Sequence, residues 1–296
     1  MNPEILVPLV TPFRSDGRLD FDGYVANVHR LSAQGVDGVV LMGSSGEFPH
    51  LTHGERRQLI SEVAAQRPDR FQVLVHSGGG AMADVVQLVE DTVAHGLDGA
   101  MVITPFYFQP QLDRRALVAY YRQLIQLGPI YLYHYPRFTG VTLDSATVGE
   151  LAQAGLKGMK DSSGQSALFS QVASETRGLD FRLFTGSGSA FLAAIAQGAA
   201  GGIMALAQLA PAELIELRRL ALAGDWPAAR VLQDRLVALD QATGTRFGIA
   251  GLKWAAKQRG LVSSGPRSPL TGLDPAAEQT LADILQATAL EPLRSV

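Results

Sequence analysis

Lys160 follows a short apolar segment and precedes a turn, in the sequence Gly158-Met159-Lys160-Asp161-Ser162-Ser163-Gly164. It is one of only four lysines, whereas arginine is the common basic residue of the chain. A lysine amine can attack a carbonyl carbon, but the guanidinium of arginine stays protonated and is a poor nucleophile. The amine must lose its proton, so its pKa has to fall from about 10.4 to roughly 7–8, which burial can cause. We therefore predict a Schiff-base enzyme with Lys160 as the nucleophile.

The other three lysines occupy less suitable places. Lys157 lies at the start of the same predicted strand, on the face of a barrel that normally serves stability. Lys253 and Lys257 are four residues apart on a predicted helix, and we expect both to form a solvated face. Alternation along the strand points Lys160 inward and Asp161 away, so the carboxylate does not hold the amine in its charged form.

Polar and aromatic side chains also follow three other predicted strands. Gly43-Ser44-Ser45-Gly46 offers two hydroxyls and successive backbone amides, which suit a small carboxylate or a phosphate. Thr104-Pro105-Phe106-Tyr107 and Tyr133-His134-Tyr135-Pro136 end two further strands. Alternation with the preceding tyrosine points His134 away from the interior. The six histidines show no metal-binding spacing and there is no cysteine, so no metal site is predicted.

Short apolar segments alternate with longer helical patterns along most of the chain. Eight such segments lack clean polar alternation, which is typical of strands that are buried on both faces. They are Ile5–Val10, Gly38–Met42, Phe71–His76, Gly99–Ile103, Ile130–Tyr133, Gly158–Lys160, Arg182–Thr185 and Gly202–Ala205. Eight strand–helix alternations within about 225 residues predict an α/β fold, a (β/α)8 TIM barrel.

Helical patterns separate these strands and continue beyond them. Those between strands are Asp22–Ala33, Thr52–Ala65, Ala81–His95, Arg114–Gln126, Asp144–Gln153 and Gln165–Glu175, and those after them are Trp226–Ala242, Ile249–Arg259 and Pro275–Ala287. We predict two domains, a catalytic barrel over residues 1–224 and a C-terminal helical domain over residues 225–296. A doubly wound sheet fits less well, because the first strand runs into Thr11-Pro12-Phe13 and not into a glycine-rich turn.

The composition limits the class of partner. The 296 residues are 47% hydrophobic and 18% charged, and the net charge of -3 argues against a nucleic-acid partner. The N-terminus lacks the basic start and long apolar segment of a secretory signal. The charge-free segment Leu183–Ala212 is long enough to span a bilayer, but its glycines and glutamines favour a buried helix followed by a buried strand. We expect a soluble, cytoplasmic protein with no membrane partner.

Taken together, these segments resemble the dihydrodipicolinate synthase / N-acetylneuraminate lyase family. The similarity rests on Gly43-Ser44-Ser45-Gly46-Glu47, Tyr133–Pro136 with Thr139-Gly140, Gly158–Asp161, Pro8–Phe13 and Arg246–Ile249, and it covers nearly the whole chain. The resemblance implies a (β/α)8 barrel with a helical tail, usually as a homotetramer. It also implies class I aldolase chemistry with pyruvate, a 2-oxo acid, and no cofactor.

The resemblance further implies a role for individual residues. Lys160 would form the imine and Tyr133 would transfer protons. Ser44 and Ser45 would hold the carboxylate of the 2-oxo acid, and Ser44 would also take part in the proton relay. Tyr107 matches a tyrosine that reaches into a neighbouring subunit's site and completes that relay. Further substrate contacts are expected from Ser162, Gly186 and Ile203.

Within the family, the chain is similar to 4-hydroxy-2-oxoglutarate aldolase-like members in three segments, Gly43–Pro49, Gly158–Ser162 and Arg246–Lys253. Dihydrodipicolinate synthases carry a carboxylate-binding arginine where this chain has Phe138. This chain has an arginine one place earlier, Arg137, and on a turn that difference of one residue changes the direction of the side chain. The loop Gly186–Ser189 lacks the acidic residues that sialic acid lyases place nearby for sugar hydroxyls. We therefore predict that the enzyme cleaves or forms a C–C bond in a short 4-hydroxy-2-oxo acid.

Three alternatives stay open. Two belong to the same family and use the same lysine and tyrosine: 4-hydroxy-tetrahydrodipicolinate synthase, and a 2-keto-3-deoxy sugar acid aldolase or dehydratase. The third is a non-catalytic sensor that binds a 2-oxo acid on an inherited barrel. The pair of Lys160 and Tyr133 argues against the sensor, because binding alone requires neither a nucleophile nor a proton donor.

Overall fold

A computed structural model of the chain describes residues 2–294 and contains a closed barrel of eight parallel strands. The strands follow one another around the barrel in chain order, and the last pairs with the first. They are β1 (Glu4–Pro8), β2 (Gly38–Leu41), β3 (Gln72–His76), β4 (Gly99–Ile103), β5 (Ile130–His134), β6 (Gly158–Asp161), β7 (Arg182–Thr185) and β8 (Gly201–Ile203). The predicted (β/α)8 TIM barrel is confirmed.

Helices connect the strands and continue after the last of them. They are α1 (Phe21–Ala33), α2 (His53–Ala65), α3 (Met82–Ala94), α4 (Arg114–Ile125), α5 (Pro136–Thr139), α6 (Ser145–Gln153), α7 (Ser166–Glu175), α8 (Phe191–Ala196), α9 (Pro211–Leu222), α10 (Trp226–Gln241), α11 (Gly248–Gln258) and α12 (Pro275–Thr288). A π-helical turn, Ala242–Arg246, joins α10 to α11. Several helices begin with an acidic cap, such as Asp144, which accepts a hydrogen bond from the Thr147 amide at 2.7 Å.

The strands bury side chains on both faces. Along β5, Tyr131 and Tyr133 point into the barrel interior, whereas Ile130 and Leu132 belong to the apolar cluster under the helices. This two-sided burial explains the absence of polar alternation in the sequence. The eight predicted strands are all present, with ends displaced by at most two residues.

Two helices were not among the predicted elements. The four-residue α5 is too short to show a periodic pattern. The longer α9 has a recognisable signal, because Pro211 occupies its first position, where proline favours a helix start.

Helices α10 and α11 pack against the barrel. Leu236 and Leu239 of α10 and Leu252 of α11 share one buried apolar cluster with Ile5 and Val7 of β1. This packing brings the C-terminal helices next to the carboxyl end of the barrel. The predicted division after residue 224 stays a prediction.

Two kinds of feature are absent from residues 2–294. None of the helices there has both the length and the apolar character needed to cross a bilayer. No group of three or more His, Asp or Glu side chains there is placed to hold a metal ion. The charge-free segment Leu183–Ala212 contains β7, α8 and β8 together with their connecting turns.

Candidate active site

Lys160 lies near the carboxyl end of β6 with its side chain turned into the barrel. Its neighbours in register are Tyr133 on β5 and Phe184 on β7, and only 5% of its surface is exposed. The amine Nζ lies 4.3 Å from the centre of the Tyr133 ring. Burial lowers the pKa of Lys160 from 10.5 to about 7, so much of the amine is neutral near pH 7. A neutral amine is the form that attacks a carbonyl carbon.

The adjacent carboxylate points in the opposite direction. Asp161 Oδ1 lies 2.9 Å from His134 Nδ1, and Ser163 donates both its amide and its hydroxyl to Asp161. The Leu143 amide donates to Nε2 of His134, which requires the imidazole proton to be on Nδ1. These contacts hold Asp161 and His134 on the outer face, as strand alternation predicts. The carboxylate next in sequence to Lys160 therefore does not pair with its amine.

Tyr133 is buried beside Lys160, and its hydroxyl faces the loop after β2. The phenol oxygen lies 3.4 Å from Ser44 Oγ, near the upper limit for a hydrogen bond. Burial raises the pKa of Tyr133, and hydrogen bonds to Ser44 and Ser162 oppose that rise. The phenol therefore keeps its proton in the resting site and is available as a proton donor.

The loop after β2 has two backbone amides that donate no hydrogen bond within residues 2–294. The amides of Gly46 and Glu47 donate to carbonyls earlier in the loop, which closes a tight turn. In contrast, no group in residues 2–294 accepts a hydrogen bond from the amide of Ser44 or Ser45. Both serines line the cavity that also contains Lys160. Two free amides and two hydroxyls make a suitable place for a carboxylate.

A cavity of about 460 Å³ opens above Lys160 at the carboxyl end of the barrel. The predicted contacts Ser162 and Gly186 both line it. Gly186 leaves room for Ser162, because a Cβ at this glycine would overlap the Ser162 hydroxyl. Ile203 is fully buried in the barrel interior with Tyr133 and lies outside the cavity lining, so the predicted direct contact of Ile203 with substrate has no support in this geometry.

The far side of the cavity is formed partly by α10 and the π-helical turn. Asp240 of α10 accepts hydrogen bonds from the Ser189 amide and hydroxyl, each at 2.7 Å, and from the Ser187 hydroxyl at 3.3 Å. The Gly186–Ser189 loop has no acidic residue of its own, as the sequence shows, but the fold brings the Asp240 carboxylate to it. The carboxylate comes from a helix 51 residues further along the chain, a proximity that the sequence does not reveal.

Arg137 and Phe138 both line this cavity. The Arg137 guanidinium lies 3.5 Å from the Thr245 carbonyl of the π-helical turn. Arg137 stands one position before the arginine expected in dihydrodipicolinate synthases, but its cation still lies on the cavity wall. The cavity thus has a cation from Arg137 and an anion from Asp240 beyond the buried amine.

Tyr107 is the predicted catalytic residue that does not reach the cavity of its own chain. It lies on the loop after β4, outside the cavity lining, and 81% of its surface is exposed. Its ring packs edge-on against Phe108, with ring centres 5.0 Å apart. The predicted role in a neighbouring subunit's site concerns a second chain and stays a prediction.

The predicted solvated face of α11 is wrong for one of its two lysines. Lys257 is exposed, but Lys253 is fully buried. The Lys253 amine lies 2.6 Å from Glu47 Oε1 and 4.0 Å from the centre of the Phe13 ring. The four-residue spacing of the two lysines could not reveal this burial, because the partner of Lys253 is Glu47 on the loop after β2.

A TIM barrel with a neutral lysine among its inward side chains has the main requirement of a class I aldolase, which binds its oxo substrate as an imine. Comparison with known families agrees with that class. The model of the Dihydrodipicolinate synthetase family matches residues 2–288, and the chain belongs to this family. The chain is accordingly a class I, pyruvate-dependent aldolase, a Schiff-base lyase. The family membership predicted from the sequence is confirmed.

Similar proteins cover almost the full length of the chain. A 4-hydroxy-tetrahydrodipicolinate synthase of Ruegeria pomeroyi is 34% identical over 276 residues, which are 92% of this chain and 94% of that protein. One of Pseudomonas aeruginosa is 30% identical over 288 residues, 96% and 98% of the two chains. Among solved structures, the dihydrodipicolinate synthase of Aquifex aeolicus has a TM-score of 0.91, 28% identity and complete coverage of both chains. The E. coli prophage protein YagE, solved in complex with pyruvate, has a TM-score of 0.91 and 27% identity over 97% of this chain and 99% of its own.

Proposed function

We propose that pyruvate binds covalently to Lys160 and that the Ser44–Ser45 loop holds its carboxylate. The neutral amine adds to the ketone carbon, and loss of water gives an imine. Hydrogen bonds from the amides of Ser44 and Ser45 orient the carboxylate so that the ketone faces Nζ. The observation that carries this proposal is the buried amine of Lys160. Burial alone lowers the pKa of this amine to about 7, and its nitrogen lies 4.3 Å from the centre of the Tyr133 ring.

Tyr133 is proposed to move the protons of the reaction. Its phenol protonates the hydroxyl that leaves during imine formation. The tyrosinate left by that step takes a C3 proton from the imine, which becomes an enamine, and C3 attacks the aldehyde carbon of the second substrate. Tyr133 protonates the resulting alkoxide, and water releases the product from Lys160. The same steps in reverse cleave a 4-hydroxy-2-oxo acid, with Ser44 extending the proton relay from its position 3.4 Å away.

The second substrate is proposed to be an aldehyde with an amino-acid end group. Arg137 and Asp240 line the cavity with opposite charges, and such a pair is complementary to a carboxylate and an ammonium group on one ligand. Relatives between 30% and 34% identical are named 4-hydroxy-tetrahydrodipicolinate synthase, an activity whose acceptor is aspartate semialdehyde. These observations favour that synthase over the predicted 4-hydroxy-2-oxoglutarate aldolase.

One observation favours the 4-hydroxy-2-oxoglutarate aldolase. Phe138 stands at the position where the synthases carry arginine, so an apolar ring replaces a carboxylate-binding group on the cavity wall. Glyoxylate, the acceptor for 4-hydroxy-2-oxoglutarate, is short and has its carboxylate next to the aldehyde. Ser162 would then contact that carboxylate. A 2-keto-3-deoxy sugar acid is the third candidate, because Asp240 can accept hydrogen bonds from hydroxyl groups.

A panel of substrates separates these activities. Pyruvate consumption is measured with aspartate semialdehyde and with glyoxylate, and pyruvate release from 2-keto-3-deoxy sugar acids is measured with lactate dehydrogenase. We expect the highest kcat/KM with aspartate semialdehyde, and we expect Arg137→Met to remove most of that preference. A preference for glyoxylate would assign the second candidate. Turnover of none of these substrates, with no pyruvate adduct on Lys160, would contradict the proposal as a whole.

We also propose a homotetramer in which Tyr107 enters the site of a neighbouring chain. Its exposure, together with that of Phe108 and Phe138, supports a contact with another copy. Mixing inactive Lys160→Ala chains with Tyr107→Phe chains tests this arrangement. Activity should return after subunit exchange, because one mixed site combines an intact lysine with an intact tyrosine. A failure to recover activity in proven mixed assemblies would rule it out. The cytoplasmic location and the lack of a cofactor stay predictions.

A further inference from the structure

The loop after β2 is bounded by two residues in the left-handed backbone region. Met42 has a φ of 54° and Glu47 a φ of 57°. Residues other than glycine rarely adopt this conformation, and it persists where the surrounding structure enforces it. Ser44 and Ser45 lie between them, so the shape of the proposed carboxylate site depends on what holds the two ends of the loop.

Each end of the loop has a buried anchor. At the first end, the Met42 amide donates to the Tyr24 hydroxyl at 3.1 Å. At the second end, the Glu47 carboxylate is buried, with Oε1 2.6 Å from Lys253 Nζ and Oε2 accepting from the Arg267 amide at 2.8 Å. The first anchor is local in sequence. The second anchor connects the loop to the C-terminal helices.

Lys253 is well placed to fix Glu47. Its amine also donates to the Gly265 carbonyl at 3.1 Å and faces the Phe13 ring. A buried charge without its partner is strongly unfavourable, so Glu47 and Lys253 constrain each other's position. The residue before Lys253, Leu252, lines the cavity, and helix α11 therefore borders the site while it holds the loop.

We infer that Glu47 and Lys253 are positioning residues for the 2-oxo acid. Their ion pair keeps the amides of Ser44 and Ser45 in the conformation that binds the carboxylate. The inference rests on the proposed function of this loop. Neither side chain of the pair lines the cavity, and Lys160 and Tyr133 are not among their ion-pair or hydrogen-bond partners. Loss of the pair should therefore weaken the binding of pyruvate much more than it slows the reaction of pyruvate that is already bound.

The experiment compares Lys253→Met with Lys257→Met, an exposed lysine on the same helix. Lys253→Met should raise the KM for pyruvate roughly ten- to hundredfold, because a small displacement of the amides misplaces the carboxylate. The kcat at saturating pyruvate should stay within about threefold of wild type. Lys257→Met should change neither constant by more than about twofold.

A double variant separates positioning from overall stability. Glu47→Gln with Lys253→Met leaves no unpaired buried charge, so its melting temperature should recover towards that of wild type while the KM for pyruvate stays high. An unchanged KM in either variant, or a KM that recovers together with stability, would overturn the inference. Borohydride trapping of pyruvate on wild-type Lys160 is measured first. Its absence would contradict the proposed function, whereas its presence with an unchanged KM would contradict only the inference.

Discussion

Two lysines of this chain are buried, and they differ in what faces their amines. Both amines lie over an aromatic ring, Lys160 over Tyr133 at 4.3 Å and Lys253 over Phe13 at 4.0 Å. Burial lowers the pKa of each. Lys253 also has the Glu47 carboxylate at 2.6 Å, which opposes the lowering of its pKa. For Lys160, burial acts alone and lowers the pKa to about 7.

The comparison shows that a countercharge, and not burial, distinguishes a structural amine from a reactive one. Opposite unit charges 2.6 Å apart attract by about 6 kcal/mol at an effective dielectric constant of roughly 20. That attraction is comparable to the several kcal/mol that burial of an ion costs, so the Glu47 carboxylate favours the charged form of the Lys253 amine. Lys160 lacks this compensation, because His134 and Ser163 hold the adjacent Asp161 on the outer face of the barrel.

Lys160→Arg should have the largest effect on activity. Arginine keeps a cation of similar length but cannot form an imine, so kcat/KM should fall roughly 10⁴-fold or more. Lys157→Arg is the matched control, since Lys157 lies just before the same strand and pairs with Asp180 at the surface. The control should retain full activity when pyruvate consumption is measured with aspartate semialdehyde. Appreciable turnover by Lys160→Arg would show that another group is the nucleophile.

Tyr133→Phe should have the next largest effect. The ring that covers the Lys160 amine stays in place while the proton donor is lost, so kcat should fall about 10²- to 10⁴-fold. The low pKa of Lys160 should be retained, because burial causes it. Single-turnover kinetics with borohydride trapping measure imine formation directly. A kcat close to that of wild type would remove Tyr133 from the mechanism.

Lys253→Met should lower the free energy of unfolding by about 3–5 kcal/mol, because it leaves the Glu47 carboxylate buried and unpaired. Urea unfolding followed by circular dichroism measures this change. Lys257→Met, on the exposed face of the same helix, should be nearly neutral. Equal stability of the two variants would mean that the Glu47–Lys253 pair does not stabilise the fold.

Lys160→Met should shift stability in the opposite direction. The pKa of Lys160 is lower in the folded protein than the usual 10.5, so the unfolded chain binds the proton more tightly and wild type is destabilised. Removing the amine should therefore raise the free energy of unfolding by roughly 1–4 kcal/mol at pH 7. The gain should shrink as pH rises from about 7 towards 10.5, since the unfolded chain then also loses the proton. A loss of stability at pH 7 would mean that Lys160 has a compensating partner.

The barrel itself was largely predictable from the sequence. Buried parallel strands are continuous apolar segments, and segments such as Gly99–Ile103 and Arg182–Thr185 were identified with their final bounds. Helix α9 was missed although Pro211 marks its start. The side-chain directions at Lys160 and Asp161 were also predictable, because alternation along a strand is a local property.

The far side of the site was not predictable, because its contacts join distant parts of the chain. Asp240 reaches the loop after β7 from α10, and Lys253 reaches Glu47 from α11. Spacing along a helix indicates which side chains share a face but not what that face meets. The role of Tyr107 in a neighbouring chain was predicted from the family resemblance and stays a prediction.

The most direct test of the account is the pH dependence of imine formation at Lys160. The protein is mixed with pyruvate and borohydride between about pH 5 and pH 10, and the adduct is quantified on each lysine-containing peptide by mass spectrometry. The account predicts an adduct on the Lys160 peptide, with trapping that is half-maximal near the lowered pKa of about 7, and none on the Lys253 peptide. An adduct on another lysine, or trapping that rises only as pH approaches 10, would contradict it.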